Sequence, residues 1–163
     1  MAAKLPRERL DSARQVFASI HHVVIATASA DAQPHNTPVF GTFDDAFNMF
    51  WASSPQSVHS QNIAANPAVF IVVFNSQTGK GGGVYIKAHA QQLDQEADIA
   101  KALAVIKNKT GRDVGGTERF IGQSPQRFYR ANPEGMWVNM SEKDDQGHII
   151  IDRRYQIEPK DLL

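Results

Sequence analysis

The chain has no cysteine among its 163 residues. That excludes disulfide staples, thiolate catalysis and cysteine-ligated zinc. It also has no excess of charge: Lys plus Arg and Asp plus Glu number 17 each, so the formal net charge is +0. Nucleic acid and anionic membranes are recognised through a basic footprint, so neither is expected as a partner. Long hydrophobic runs are missing as well. The longest, Ala68 to Phe74, is far shorter than the roughly 20 residues a membrane-spanning helix needs. The first residues, MAAKLPRERLDSAR, are polar and charged, without the apolar centre of a secretion signal. With 42% apolar and 21% charged residues, the composition is that of a globular domain. The expectation is one cytoplasmic domain spanning residues 1–163.

Catalytic signatures are scarce too. There is no HExxH spacing and no GxSxG elbow, so neither a zinc hydrolase nor a serine hydrolase is indicated. His21 and His22 are neighbours on an expected strand and point to opposite faces, which prevents joint chelation. His35, His59, His89 and His148 are scattered over different elements, and no metal site is expected.

What is present reads as strands with a few helices. Leu10, Ala13, Phe17 and Ile20 recur at helical spacing after Pro6, which predicts a helix over 6–20. A second stripe, Ile99, Leu103 and Ile106, predicts a helix over 94–109. Acidic residues crowd its start, lysines its end, and Gly111 follows. A shorter helix is expected from Ser57 to Ala65, stopped by Asn66-Pro67. Strands are expected at 22–28, 34–43, 47–52, 66–74, 83–90, 136–140 and 148–157. About seven strands at short spacing favour a small barrel over a doubly wound sheet. The stretch from Thr110 to Asn132 reads as irregular, with a short helix at 117–121.

Two segments are candidates for binding. SSPQSVHS (53–60) sits between a strand and a helix. Ser53, Ser54 and Ser57 bring hydroxyls, His59 brings a potential cation, and the helix start brings free N–H groups. Together they suit a phosphate, although Ser57 acting simply as a helix cap is the simpler reading of the segment by itself. TGKGGG (78–83) holds four of the eleven glycines. It lacks phosphate-loop spacing and precedes a strand, so a flexible connection is expected. Trp51 and Trp137 both lie in strands. Trp51 is expected in the core. Trp137 alternates with Met136 and Val138, so Trp137 and Asn139 should leave the opposite face, toward a dimer contact or a bound ring.

In order along the chain, these segments resemble the pyridoxamine 5′-phosphate oxidase-like family of FMN-binding split barrels. The resemblance covers roughly residues 15 to 157. It is carried by HVVIATASADAQPHNTPVF, FNMFWASSPQSVHSQNIAANPAVFIVVF, GVYIKAHAQQLD and RFYRANPEGMWVNM. It implies a mainly β, split-barrel homodimer with flanking helices and two FMN sites between subunits. The residues it implies for the cofactor are Thr37, Pro38, Val39 and Phe40; Ala52 and Ser53; Ser57 with His59; Gly83; and, from the partner's final segment, Trp137 and Asn139.

The chain departs from the family pattern at His59, where relatives often carry Lys or Arg; phosphate affinity is then expected to depend on pH. It also lacks the C-terminal arginine motif of the vitamin B6 oxidases. Arg153 and Arg154 are strand neighbours and diverge. The reading is therefore a flavin-dependent oxidoreductase acting on a nicotinamide or small organic substrate. The alternatives are a non-catalytic flavin-binding or stress protein, or the same barrel holding deazaflavin or haem.

Overall fold

Alternation of apolar residues sets the inner surface of the sheet. The computed structural model describes residues 5–76 and 83–163; the glycine-rich segment, Gly83 excepted, lies outside them. Helix α1 (Arg7–Ser19) is followed by β1 (His22–Ala28) and β2 (Pro34–Phe40), then by the short β3 (Thr42–Phe43) and β4 (Met49–Ser53). Helix α2 (Val58–Ala65) leads into β5 (Ala68–Phe74), β6 (Gly83–Gln92) and α3 (Glu96–Thr110). The chain ends with the long β7 (Arg127–Lys143) and β8 (Ile149–Ile157). Val23 and Ile25 of β1, Ile71 and Val73 of β5, Val84 and Ile86 of β6, and Met136 and Val138 of β7 all bury inward. Ala13 and Val16 of α1 join this cluster.

The strands form one antiparallel sheet in the order β2-β1-β5-β6-β7-β4-β3, with β8 also on β7. The split comes from β7. Its first part, Arg127 to Ala131, pairs with β4, whereas Met136 onward pairs with β8. Between them, the register against β6 shifts: Ala88 faces Pro133, Lys87 faces Gly135, and Glu134 is the extra residue. Proline has no N–H for a ladder, and a bulge bends the strand there. Two strands can thus follow one another along the same edge of β7.

A second, smaller apolar cluster lies beneath α3, built from Phe50, Leu93, Ile99, Ala102, Ile106, Phe120 and Phe128. It explains why β4 does not alternate. Met49 and Trp51 fill the main core, while Phe50 fills the cluster under α3. Trp51 is fully buried, as its strand setting implied, and stacks on Tyr129 with ring centroids 5.3 Å apart.

Three expectations need correction. The strand expected over 34–43 is interrupted at Gly41, whose N–H donates to the His21 carbonyl at 2.8 Å. The strand expected at 47–52 begins only at Met49, because Asp44–Phe47 is a turn. There Phe47 adopts a left-handed φ of 61°, which costs an L residue roughly 1–2 kcal/mol. The strand expected at Met136 begins at Arg127, which makes eight strands among the described residues and places part of the expected irregular stretch inside the sheet. A turn of 3-10 helix occupies Thr117–Phe120.

Gly41 sits at a close approach to the buried Met49 and Val23 side chains. A Cβ built there would lie 3.0 Å from the Met49 sulfur and 3.2 Å from a Val23 methyl. Gly41→Ala should therefore destabilise the protein by about 1–3 kcal/mol through overpacking, measured by denaturant unfolding. A change below about 0.5 kcal/mol would contradict this packing.

Candidate functional site

The start of α2 gathers hydroxyl groups around one imidazole. Ser57 is the residue before the helix, yet its side chain makes no capping hydrogen bond to the helix N–H groups. Its Oγ instead lies 2.9 Å from both the Ser54 carbonyl oxygen and Ser60 Oγ. The first-turn N–H groups of α2 are thus left without that cap, and they carry the positive end of the helix dipole. Ser53, at the end of β4, points into the same spot. His59 Nε2 is 2.8 Å from Ser53 Oγ and 3.2 Å from Ser57 Oγ. Behind it, Asn62 donates to Thr27 Oγ1 at 3.0 Å, a buried bond that ties α2 to β1. Thr37 reaches the edge of the group through His35, at 2.8 Å between Oγ1 and Nε2.

His59 does not match the cation expected of it. It is 5% exposed. Burial lowers its pKa from the ordinary 6.5, and the neighbouring His35 lowers it further. The ring is therefore neutral near pH 7, and it serves the serines as a hydrogen-bonding partner. Arg127 lies opposite Ser53 on β7, but its guanidinium donates to the carbonyls of Gly122, Ser124 and Gln126. The arrangement can bind an anion through N–H and O–H donors at a helix start.

The other residues implied for the cofactor fall elsewhere. Val39 is a core residue opposite Val23, so its side chain is not available to a ligand. Pro38 is exposed beside Val24. Phe40 is three residues beyond Thr37, about 10 Å along the strand. Its ring lies 5.6 Å from those of His21 and His22, with the Arg112 guanidinium 4.5 Å away. Ala52 is exposed next to Ser53.

Gly83, Trp137 and Asn139 form a second group on the outer face of the sheet, as alternation with Met136 and Val138 implied. Trp137 stacks on Phe70 at 6.4 Å, and Asn139 Nδ2 donates to Tyr85 Oη at 3.2 Å. Arg154 lies over Tyr85 at 4.3 Å. The Trp137 ring covers Gly135, where a Cβ would stand 2.5 Å from it. Asn139 Oδ1 is buried without a hydrogen-bond partner. Trp137 is ten residues along β7 from Arg127, which pairs with Ser53; for extended chain that is on the order of 30 Å.

Sequence reasoning missed His35, Ser60 and Asn62 at the first group, and Phe70, Tyr85 and Arg154 at the second. The alternation of GVYIKAHA carried a signal for Tyr85, since it places Tyr85 on the face of Gly83. Nothing in the sequence marks the Asn62–Thr27 contact, which joins residues 35 apart. Among the described residues no cluster of three or more His, Asp or Glu suited to a metal occurs.

The lowered pKa of His59 makes a testable stability statement. The folded state disfavours the charged ring, so between 6.5 and the lower folded value the unfolded chain binds more protons. This contribution is fully present above pH 6.5 and declines as pH falls below it. His59→Gln should show a flatter loss of stability than wild type on acidification from pH 7 to 5, read from urea midpoints. Equal slopes would contradict a buried neutral imidazole.

The family model described as pyridoxamine 5′-phosphate oxidase matches residues 10–140. No curated protein sequence matches the chain. Among solved structures, the haem storage protein HutZ from Vibrio cholerae is 18% identical, covers 78% of this chain and 92% of its own, and superposes with a TM-score of 0.66. A FAD-binding protein from Mesorhizobium loti is 20% identical over 75% of this chain and 87% of its own, with a TM-score of 0.56. General Stress Protein 26 from Bacillus anthracis is 16% identical over 81% and 92%, also with a TM-score of 0.56. At these identities the structural likeness concerns the fold, which agrees with the split sheet on β7. The family match covers most of the strands and, Arg154 excepted, both residue groups above, and the chain belongs to the pyridoxamine 5′-phosphate oxidase-like split-barrel family.

Proposed function

We propose that this chain is an FMN-binding flavoprotein that works as a homodimer, each cofactor held between two subunits. The observation that carries the reading is the separation of the two residue groups. The uncapped, serine-lined start of α2 suits the phosphate of FMN, while the aromatic face around Trp137 and Asn139 suits a flat ring. Some 30 Å of strand separates them within one chain, so a second subunit supplies the missing half of each site. The tip of the β7–β8 hairpin supports association as well. Ile149, Ile150 and Ile151 are 62%, 67% and 42% exposed, leaving apolar side chains on both faces of the strand, a surface suited to burial by a partner.

In this reading Ser53, Ser57 and the first N–H groups of α2 donate to the phosphate, and His59 holds the two hydroxyls in place. The partner's Trp137 and Asn139 cover the ring and exclude water. Bound FMN supplies hydride and electron transfer with a nicotinamide or small organic donor. Ser53 and His59 stand at hydrogen-bond distance; in this reading the pair serves the phosphate, the protein positions and the cofactor reacts.

The same geometry argues against efficient vitamin B6 oxidase activity. Arg153 is engaged with Glu142, Nε to Oε1 2.8 Å, while Arg154 lies over Tyr85 on the other face. The two cannot clamp one substrate phosphate together. Of the nearby structures, the FAD-binding protein and the haem storage protein hold different groups on this fold, so the test must distinguish them.

Purified protein should bind FMN with flavin absorbance bands and scatter light as a dimer. Ser57→Ala should raise the FMN dissociation constant about tenfold, as loss of a hydrogen bond to a charged group does. Under anaerobic conditions NADH or NADPH should bleach the flavin, and pyridoxamine phosphate should not. A haem Soret band with no flavin binding, or unchanged affinity in Ser57→Ala, would overturn the reading.

A further inference from the structure

β8 ends the sheet with an open edge. Among the described residues it pairs with β7 alone, so backbone N–H and carbonyl groups along its other side point away from the sheet. Residues 149–154 are all exposed, three isoleucines among them. A long edge strand with exposed β-branched residues is a template for further pairing, which soluble proteins ordinarily block. We propose that this edge is an interaction surface for a second copy of the chain, the two β8 strands pairing antiparallel about a two-fold axis at Arg153.

The side chains select the register. Residues opposite each other in a sheet share a face, and only positions an even number apart along one strand do so. The axis must therefore pass through a residue. An axis at Asp152 would set two carboxylates against each other, and an axis at Arg154 two guanidinium groups. Among the described residues neither is in an ion pair that would neutralise it. An axis at Ile151 would set Asp152 against Ile150.

At Arg153 the matches fall together. On one face Asp152 lies opposite the second copy's Arg154. In the single chain both lean back across β7, Asp152 accepting from Ser141 Oγ at 2.6 Å and Arg154 lying over Tyr85. A strand on the open side offers each the opposite charge. On the other face Ile151 lies opposite the second copy's Tyr155, a favourable β-branched and aromatic pair. Arg153 meets its own copy at the axis, but each guanidinium is already held by Glu142, Nε to Oε1 2.8 Å. The register shift against β7 at Ile150 and the burial of Ile157 confine regular pairing to residues 151–155. Arg153 is the midpoint of that segment, and of β8 as a whole. Five paired residues make a small contact, so the association is weak and reversible. It uses a strand edge and does not rest on the flavin reading.

The chain has no cysteine, so single cysteines report the register. Arg153→Cys sets two thiols opposite each other at the axis, with Cα atoms about 4.5–5.5 Å apart, a distance a disulfide bridges. Ile149→Cys, also exposed, stands on the order of 27 Å from its own copy in this pairing. With diamide as oxidant, the cofactor-free Arg153→Cys chain should form a covalent dimer on a non-reducing gel at least tenfold faster than Ile149→Cys. Light scattering of the cysteine-free chain should show mass rising with concentration, beyond any association at the flavin site. Asp152→Arg should weaken that step about tenfold, and adding Arg154→Asp should restore it. Equal crosslinking rates, a scattering mass indifferent to Asp152→Arg, or no recovery in the charge-swapped chain would overturn the proposal. FMN affinity is measured separately, and its failure bears on the flavin reading alone.

Discussion

The structure depends on one strand serving two neighbours. β7 gives its first residues to β4 and its later residues to β8, and the exchange takes place where Pro133 cannot donate and Glu134 bulges. Had β7 kept a single partner, the sheet would continue as one open surface. Because it changes partner, β4 runs beside the start of β7 with Met49 and Trp51 in the main core and Phe50 in the cluster under α3, and β8 continues as the outer strand of a long hairpin. The same exchange sets Ser53 beside the start of β7 and Trp137 far along it. The geometry of both candidate binding surfaces therefore follows from a Pro-Glu-Gly step in one strand.

At the start of α2, local polarity is arranged by burial. A positively charged histidine among serines would be a strong anion holder, but desolvation and His35 keep the ring neutral. What is left is a set of hydroxyls and backbone N–H groups oriented by an imidazole. Such donors do not carry net charge, so their attraction for an anion comes from geometry and the helix dipole. The buried Asn62–Thr27 hydrogen bond fixes the helix that presents them, since breaking it would strand two buried polar groups.

Much of the fold was legible in sequence. Alternation located β1 and β6, and caps and charge gradients located α3, whose end at Gly111 is in the left-handed conformation. The failures share a cause: local pattern yields to tertiary packing. FNMFWA does not alternate because β4 is buried on both faces, and the run beginning at Arg127 looked irregular because proline and a bulge interrupt its period. At the candidate site, Ser53, Ser57 and His59 were legible from one short segment and do converge. The burial of the Val39 side chain and the distance of Phe40 from that spot were not legible, because the facing of a strand side chain depends on which neighbour it pairs with. The lowered pKa of His59 was not legible, since it is set by burial and by His35, which no local pattern reveals.

Sharing of one flavin site between two subunits is tested most directly by mixing defective chains. Chains carrying Ser53→Ala and Ser57→Ala lack the phosphate seat; chains carrying Trp137→Ala and Asn139→Ala lack the ring cover. Each should bind FMN weakly as a homodimer. Mixed dimers reassembled from the two should regain wild-type affinity at half the wild-type stoichiometry, because one of the two sites is then whole. A mixture that binds no better than its separate components would contradict a site built across the subunit boundary.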